Sequence, residues 1–342
     1  MVGGVDVDKL SAIGFYTLSD NRAMCASEHS RLWRCELILT DKCNFKCPYC
    51  RGLRDDIKGT ISYNDALSIV NYWAENGLKN IRFSGGEPTI YPHLLTLVKH
   101  TKAVGIERIA ISSNGSADTN YYKQLINAGV NDVSFSLDAC CSAFGNKMAG
   151  GINVFNTIAN NIKEVSKIIY TTVGIVVTED NLQELHKIVD YADGLGVSDI
   201  RVISAAQLSK VVPTLSLVKD SLLTQYPILK YRVTNAISGR AVRGITESDS
   251  RGCGLVLDDM AIAGNYHFPC IIYMREGGDP IGKVSANMRK ERARWYKQHD
   301  THRDNICKNN CLDVCIDYNN TFARGKLLNE GSTTDHQASF TE

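Results

Sequence analysis

Residues 35–50 read CELILTDKCNFKCPYC, an apolar run followed at once by a polar loop with three cysteines. The run Cys35–Leu39 predicts a buried strand, because short apolar runs bounded by turn-forming residues are typical of parallel sheets. Cys43, Cys47 and Cys50 stand at CxxxCxxC spacing. Three thiolates so close together can bind three irons of a cubane cluster while the fourth iron stays open. Structural zinc, the competing interpretation, needs four ligands, usually as two separated pairs, and buried structural cysteines do not suit so polar a loop.

Downstream of this loop, short apolar runs alternate with amphipathic stretches as far as residue 204. Six β-α units in a row predict a parallel sheet with right-handed crossovers. Because eight units are needed to close a TIM barrel, we expect an α/β fold with a partial (β/α)6 TIM-like barrel. The predicted strands are Cys35–Leu39, Asn80–Ser84, Arg108–Ser112, Asp132–Ser136, Tyr170–Val177 and Asp199–Ser204, and the predicted helices are Tyr63–Asn76, Tyr91–Val104, Asn120–Ala128, Val154–Lys167 and Leu182–Leu195.

The composition is that of an ordinary globular protein, with 44% apolar residues in a chain of 342. No run of 18 apolar residues occurs, and the first residues lack the basic and apolar regions of a signal peptide. We therefore expect a cytoplasmic protein with no membrane partner. Lys and Arg number 38 against 37 Asp and Glu, so the total charge gives no attraction to nucleic acid, and we expect no such partner.

Beyond residue 205 the pattern changes, and residues 210–250 are irregular. The stretch from Cys253 to Ile281 predicts a hairpin, with Leu255–Ile262 and His267–Tyr273 as strands around a Gly264-Asn265 turn. A charged helix is predicted at Arg289–His299. We expect four parts: an N-terminal segment at 1–34, the partial barrel at 35–210, a small cysteine-rich α+β extension at 211–330 and a polar tail at 331–342.

The chain has twelve cysteines. In a reducing cytosol, clustered cysteines more often indicate a metal site or catalysis than disulfides. Besides the first group, a second group gathers toward the C-terminus: Cys253, Cys270, Cys307, Cys311 and Cys315. The last three follow one another at four-residue steps, which places them on one face of a helix. Two groups far apart in sequence predict two metal sites.

Polar motifs follow several predicted strands at their carboxyl ends: SGGEP at 84–88, SNG at 113–115 and LD at 137–138. Because the carboxyl ends of parallel strands meet at one edge, these motifs and the cysteine loop gather at one rim. That rim is the predicted active site. The CxxxCxxC spacing with an aromatic residue, Tyr49, before the last cysteine, followed in order by these motifs, resembles the radical S-adenosylmethionine (radical SAM) superfamily.

The resemblance implies a 4Fe-4S cluster on Cys43, Cys47 and Cys50, whose open iron chelates S-adenosylmethionine (SAM). It further implies reductive cleavage of SAM to a 5′-deoxyadenosyl radical, which removes a hydrogen atom from a C–H bond. An external donor such as flavodoxin or ferredoxin supplies the electron. Ordinary turns and strand-end polarity are the alternative explanation of each motif. The implied cofactor-binding residues are Tyr49, then Gly85, Gly86, Glu87 and Pro88 at the methionyl amino group, Ser113 and Asn114 at the ribose or carboxylate, Ser136 and Asp138 at the ribose hydroxyls, and Val177 along the adenine.

The C-terminal cysteines resemble the SPASM or shorter twitch extension of the same superfamily, which holds an auxiliary 4Fe-4S cluster. The run DDMAIAGNYHFPC at residues 258–270 fits the hairpin between the first two ligands. The full SPASM pattern has seven cysteines, and the five here suffice for one fully ligated cluster with one thiol to spare. A zinc knot or reduced structural thiols are the alternatives. We expect His267 and His299 to be structural.

The resemblance implies an enzyme of oxidoreductase or lyase type. Cys140 and Cys141 follow Asp138 at the rim, where one of them would donate a hydrogen atom to a product radical; packing of small side chains is the plainer interpretation. We expect a small-molecule substrate of nucleoside, nucleotide or sugar type, because 34 residues before the first strand are few for the leader-binding domain of peptide-modifying members. Peptide or protein modification is the alternative. A non-catalytic iron–sulfur or zinc protein is the alternative from a different class, and the GGEP motif argues against it.

Overall fold

The computed structural model describes residues 21–205 and 213–335. Its strands are β1 Arg34–Thr40, β2 Asn80–Gly85, β3 Arg108–Ser113, β4 Asp132–Ser136, β5 Tyr170–Val177, β6 Asp199–Ser204, β7 Asp259–Ala263, β8 Tyr266–Phe268 and β9 Gly282–Lys283. They form one sheet in the order β6-β5-β4-β3-β2-β1-β7-β8-β9, with β1 to β6 parallel. Among the described residues β6 pairs only with β5, so the barrel is open. This confirms the predicted α/β partial barrel.

Helices connect the parallel strands, and consecutive helices pack side by side. Two of them begin three residues later than predicted: a 3-10 turn occupies Leu182–Glu184, and the backbone at Tyr91 is extended after the 3-10 turn Pro88–Ile90. The first helix begins at a capping box, in which the Ser62 side chain accepts the Asp65 amide at 3.1 Å. The helices are α1 Tyr63–Glu75, α2 Leu94–Ala103, α3 Thr119–Ala128, α4 Ser142–Met148, α5 Phe155–Ser166 and α6 Leu185–Gly194.

The two faces of the barrel strands differ in chemistry. Along β1, Cys35 and Leu37 are fully buried in the main hydrophobic core, whereas Arg34 and Glu36 line a cavity inside the barrel. Successive side chains of a strand point to opposite faces, so this alternation separates an apolar layer under the helices from a polar interior. The fold therefore presents a charged interior to any molecule that enters the barrel.

The C-terminal extension continues the barrel sheet. Strand β7 pairs in parallel with β1, from Arg34 opposite Asp259 to Leu37 opposite Ile262, and β8 is antiparallel to both β7 and β9. The sequence patterns did not predict this pairing. It brings the second cysteine group to the open side of the barrel beside β1.

The predicted hairpin is present but shorter than expected. Residues 254–257 form a 3-10 turn, and β8 ends at Phe268 because the following Pro269 has no amide hydrogen to donate to the sheet. A helix, α9 Ile271–Arg275, replaces the second half of the predicted strand His267–Tyr273, with Cys270 as its N-cap. Gly264 provides the turn in the left-handed conformation, with φ of 55°.

The remaining helices complete the extension. The irregular stretch at 210–250 contains α7 Asp220–Gln225 and α8 Pro227–Ile237, and they are followed by α10 Met288–Gln298, α11 Asn305–Asn310 and α12 Asp313–Asp335. Helix α12 extends into the stretch predicted as a polar tail; residues 336–342 of that tail and 1–20 of the N-terminal segment lie outside the described residues. The division of the chain at residues 35 and 211 stays a prediction. None of the described helices combines the length and the apolar character that a membrane span requires.

Candidate active site

The first cysteine group lies on the loop that leaves β1. Thr40 anchors the start of this loop: its hydroxyl accepts the Lys42 amide at 3.1 Å and lies 2.8 Å from the Thr60 hydroxyl. The backbone turns back on itself where the Cys50 amide donates to the Cys47 carbonyl at 3.0 Å. Cys43 and Cys50 are exposed and Cys47 is half-buried. The loop is thus held at its base and presents its three thiols together at the carboxyl edge of the sheet.

The three thiols suit a cluster better than a single ion. Burial, followed by the negative charges of Asp138, Cys50 and Cys43, raises the pKa of Cys47 to about 12, so its thiolate needs a cationic ligand for stability. A zinc ion with bonds of about 2.3 Å would hold sulfurs roughly 3.8 Å apart. Among the described residues, only His299, Asp304 and Cys307 form a group of three ligand atoms all within 4.8 Å of one another. At least two of the Cys43, Cys47 and Cys50 sulfurs are therefore more than 4.8 Å apart, further than the ligands of a single zinc ion.

Two glycines after β2 press against the cysteine loop. The Gly86 amide donates to the Thr40 carbonyl at 2.7 Å, and a Cβ atom at Gly86 would lie 2.1 Å from the Lys42 carbonyl oxygen. Gly85 has φ of 150°, and a Cβ there would lie 2.3 Å from the Thr40 carbonyl oxygen. Only glycine fits either position, so the GG pair brings two backbones closer together than any side chain allows.

The Glu87 side chain lies inside the protein, between the ends of β2 and β3. Its carboxylate is fully buried and accepts hydrogen bonds from the Thr89 amide and hydroxyl, from the Ser113 hydroxyl at 2.9 Å and from the Asn114 amide at 2.7 Å. Burial raises the pKa of Glu87, and these donors oppose that rise. Glu87 therefore joins the end of β2 to the end of β3 through these hydrogen bonds. The buried Pro88 begins the 3-10 turn that follows. The part of the motif that faces the loop is backbone.

The end of β3 contacts the cysteine loop directly. Asn114 donates through its side-chain amide to Asn44 at 2.8 Å and approaches the Cys43 sulfur at 3.8 Å. Ser113 is buried and is shared between Glu87 and the Tyr122 hydroxyl. Asn114 thus lies at the rim beside Cys43, whereas Ser113 contributes through Glu87.

Asp138 joins the cysteine loop to β5. It accepts the Tyr49 hydroxyl at 2.5 Å through one oxygen and the Val176 amide at 2.7 Å through the other. Burial raises the pKa of Asp138 to about 6, although both hydrogen bonds lower it. Val177 itself is fully buried in the core, and its carbonyl accepts the Ala205 amide at 2.8 Å. The backbone at Val176, one residue earlier, is the part of β5 that reaches this site.

We expect Tyr49→Phe to destabilise the fold more at high pH than at low pH. Because the pKa of Asp138 is higher in the folded protein than in the unfolded chain, its ionisation opposes folding, and this cost grows as the pH rises from about 4 to about 6. In the folded protein the Tyr49 hydroxyl donates to the Asp138 carboxylate above about pH 6, and to the neutral carboxylic acid below about pH 6. The loss in unfolding free energy should be about 2 kcal/mol near pH 8 and about 1 kcal/mol near pH 5. Urea unfolding at both pH values measures the loss in unfolding free energy. Equal losses at the two pH values would contradict a raised pKa for Asp138.

Several of the predicted residues border one cavity of about 430 Å³ beside the cysteine loop. Its lining includes Cys47, Tyr49, Asn114, the exposed Ser136 and Asp138. Cys140 and Cys141 do not line it. After burial, the charges that most affect the pKa of Cys140 are those of Cys141, Glu184 and Lys187, which places it near the start of α6. The prediction that one of them donates a hydrogen atom gains no support from this position.

The second cysteine group surrounds a cavity of its own. A space of about 600 Å³ is lined by all five thiols, and most of the other lining residues are apolar. Burial, followed by the charge of Cys253, raises the pKa of Cys270 to about 12. Cys253 and Cys270 accept hydrogen bonds from Asn319 and from the Tyr273 amide. Five thiols around a largely apolar cavity, where free thiolates would repel one another, fit an iron–sulfur cluster, whose charge stabilises thiolates there.

The two histidines near this group differ in surroundings. His267 pairs with Glu291 at 2.9 Å, as a structural residue does. His299 stacks on Trp295 with ring centroids 3.8 Å apart, and its Nε2 lies 3.4 Å from the Cys307 sulfur. No sequence motif predicts the contact between His299 and Cys307, because it depends on how residues 299–307 fold.

Two further features were missed in the sequence. One is a cavity inside the barrel of about 1180 Å³, whose lining includes Glu36, Arg82 and Arg201 together with Cys270 and Cys315 of the second group. The other is Arg275 on α9, which reaches the GG pair. The cavity inside the barrel could have been predicted from charged residues at alternate positions of buried strands, such as Arg34 and Glu36.

Comparison with known proteins agrees with this geometry. The family model of the Radical SAM superfamily matches residues 37–192. A probable GTP 3′,8-cyclase of Sulfurisphaera tokodaii is 26% identical over 170 residues, which cover 49% of this chain and 54% of that protein. The corresponding protein of Methanococcus maripaludis is 29% identical over 164 residues, covering 47% and 55%. The chain therefore spans about half the length of the curated relatives it matches.

Solved structures share the fold over more of the chain. Native anSMEcpe with bound AdoMet has a TM-score of 0.60 at 15% identity and covers 86% of this chain and 95% of its own. Streptococcus suis SuiB bound to the precursor peptide SuiA has a TM-score of 0.56 at 17% identity, covering 82% and 68%. The open barrel, the cysteine loop and the ordered motifs define a radical SAM domain. Residues 37–192 thus carry a domain of the radical SAM superfamily, whose enzymes use a 4Fe-4S cluster and SAM.

Proposed function

We propose that this protein cleaves SAM reductively and uses the reaction to remove a hydrogen atom from a C–H bond of a small polar molecule, of nucleotide or sugar type. One observation carries the proposal: the GG pair of residues 85–86 packs, with no room for a side chain, onto the loop that bears Cys43, Cys47 and Cys50. An electron carrier needs the thiols but has no use for this close approach.

The residues of the rim have separable tasks. Bound at the loop, the cluster and SAM supply a one-electron cleavage that yields a 5′-deoxyadenosyl radical. The thiolates of Cys43, Cys47 and Cys50 hold iron, and the backbone of the GG pair offers polar groups to the methionyl end. Asn114, Ser136 and Asp138 offer donors and acceptors for the nucleoside end, beside the cavity of about 430 Å³. A small donor protein such as flavodoxin or ferredoxin supplies the electron.

The barrel cavity supports a small polar substrate. Its empty volume of about 1180 Å³, which includes space open to solvent, leaves room for a small molecule. Glu36, Arg82, Ser112 and Arg201 project into it from four strands, and together they match a molecule that carries both hydroxyl and anionic groups. The curated relatives are named as cyclases of GTP, which favours a nucleotide. SuiB and anSMEcpe have been crystallised with peptides, yet at 17% and 15% identity they share only the fold.

Anaerobic reconstitution tests the proposal. With SAM and a strong reductant, the protein should form 5′-deoxyadenosine, and a purine nucleotide should bind in the barrel. Arg201→Met should weaken nucleotide binding about ten-fold or more, because a guanidinium–phosphate contact is lost; Lys219→Met, which removes an exposed surface ion pair, is the matched control. Iron uptake without 5′-deoxyadenosine would indicate an electron carrier. Cleavage that is stimulated by a peptide and not by nucleotides would indicate peptide modification.

A further inference from the structure

We propose that Arg275 is a positioning residue through which the second cysteine group sets the geometry of the SAM site. This inference rests on the proposed function. It assigns a task to the short helix α9, which begins at Cys270 and ends at Arg275. The helix therefore spans the distance from one predicted iron ligand to the rim of the other site.

The contacts of Arg275 are specific to that rim. One guanidinium nitrogen donates to the Gly52 carbonyl at 2.9 Å, two residues after Cys50, and another donates to the Gly85 carbonyl at 3.0 Å. A single planar group thus joins the end of the cysteine loop to the GG pair. Lysine cannot reproduce this bridge, because its ammonium is a single point with no fixed fork.

Arg275 is half-buried; its hydrogen bond to Gly85 is partly buried, whereas the one to Gly52 is exposed. Burial lowers the pKa of Arg275, whereas the charges of Glu36 and Cys50 raise it. The guanidinium therefore lies close to the first cysteine group as well as to the barrel interior. Hydrogen bonds from a charged donor are about twice as strong as neutral ones, and their loss would leave two carbonyls without this donor.

The end of α9 has its own connections to the loop. Arg54 donates to the Gly277 and Gly278 carbonyls at 2.9 and 2.8 Å, and Arg51 pairs with Glu276. These contacts dock the helix but do not reach the GG pair. They provide a matched control, because Arg54→Met weakens the same junction and spares the Gly85 carbonyl.

The second cysteine group anchors the other end of the helix. The Cys270 sulfur accepts the Tyr273 amide at 3.4 Å in the first turn of α9. When a cluster binds Cys270, it restricts the position of this turn, and Arg275 lies one helical turn further on. Emptying the second site should therefore loosen the Arg275 bridge without any change in the residues of the SAM site.

The test measures SAM binding to the holoenzyme, by anaerobic titration of the electron paramagnetic resonance signal of the reduced cluster. Arg275→Met should raise the dissociation constant for SAM about ten-fold, with the iron content unchanged. Arg275→Lys should fall between wild type and Arg275→Met, and Arg54→Met should stay within about two-fold of wild type. The double variant Cys270→Ser/Cys315→Ser, emptied at the second site, should show a similar ten-fold increase.

Combining these substitutions shows whether the second cysteine group acts on SAM binding through Arg275 or independently of it. If the second site acts through Arg275, adding Arg275→Met to the emptied variant should weaken SAM binding no further. Multiplication of the two effects to about a hundred-fold would overturn the proposal, as would an Arg275→Met protein that binds SAM like wild type. A wild type that gives no SAM-dependent signal would overturn the proposed function together with the role of Arg275. Failure of the Arg275 variants alone, with a normal wild-type signal, would overturn only the role of Arg275.

Discussion

Replacing Cys43, Cys47 and Cys50 together by alanine is expected to abolish SAM-dependent formation of 5′-deoxyadenosine and to remove about half of the bound iron. The three thiols are the only described cysteines on the rim loop, and the neighbouring donors Tyr49, Asp138 and Asn114 are engaged with protein partners. Without these thiolates the loop lacks the sulfur ligands that a 4Fe-4S cluster requires. Iron analysis and chromatography of the reaction products measure the two effects.

A control separates this loss from general damage to the protein. Cys25 is exposed and belongs to neither group, so Cys25→Ala should retain the iron and the activity of wild type. The second cysteine group should keep its own spectrum in the triple variant, because its cavity shares none of these thiols. A triple variant with full iron content would show that all the metal is bound elsewhere, and the assignment of the loop would be wrong.

The second large effect is expected for Gly86→Ala. The added methyl group would lie 2.1 Å from the Lys42 carbonyl oxygen and 2.7 Å from that of Asp41. Both neighbours are backbone, so the cysteine loop itself must move. A displacement of about 1 Å in a catalytic arrangement commonly costs a hundred-fold in rate, and we expect at least that loss in 5′-deoxyadenosine formation. Overpacking should also lower the unfolding free energy by about 3 kcal/mol.

Gly194→Ala is the matched control for that substitution. Gly194 is the last residue of α6, its added Cβ would meet nothing within 4 Å, and its φ is not positive. The change should leave activity unaltered and shift stability by no more than about 1 kcal/mol. Urea unfolding together with the product assay covers both variants. If Gly86→Ala is as active as Gly194→Ala, close packing of the GG pair is not required for the reaction.

Much of the barrel was predictable because its signals are local. Six parallel strands were expected within one residue of their observed ends, since each apolar run is bounded by a turn or a helix cap. The rim could be predicted for the same reason: Cys43, Gly85 and Asn114 each follow a strand, and parallel strands place their carboxyl ends at one edge. The sequence spacing of the motifs therefore carried real three-dimensional information.

The roles of individual residues were harder to predict. That Glu87 binds the cofactor stays a prediction; the sequence did not show that its carboxylate is buried against Ser113 and Asn114, because hydrogen-bond partners from different strands cannot be assigned from one segment. Val177 was expected along the adenine, and its side chain lies in the core. The residue of β5 whose backbone reaches Asp138 is the preceding one, Val176. A shift of one position along a strand reverses the face on which a side chain lies.

Short-range patterns were thus enough for the strand and helix order, the class of the fold and the thiols that belong to each cysteine group. Long-range packing decided that β7 extends the barrel sheet beside β1, that Arg275 bridges Gly52 and Gly85, and that Cys270 and Cys315 border the barrel cavity. These contacts join residues more than 180 positions apart in the chain. Their free energy depends on complementary shape and hydrogen bonding between surfaces, which no single stretch of the chain encodes.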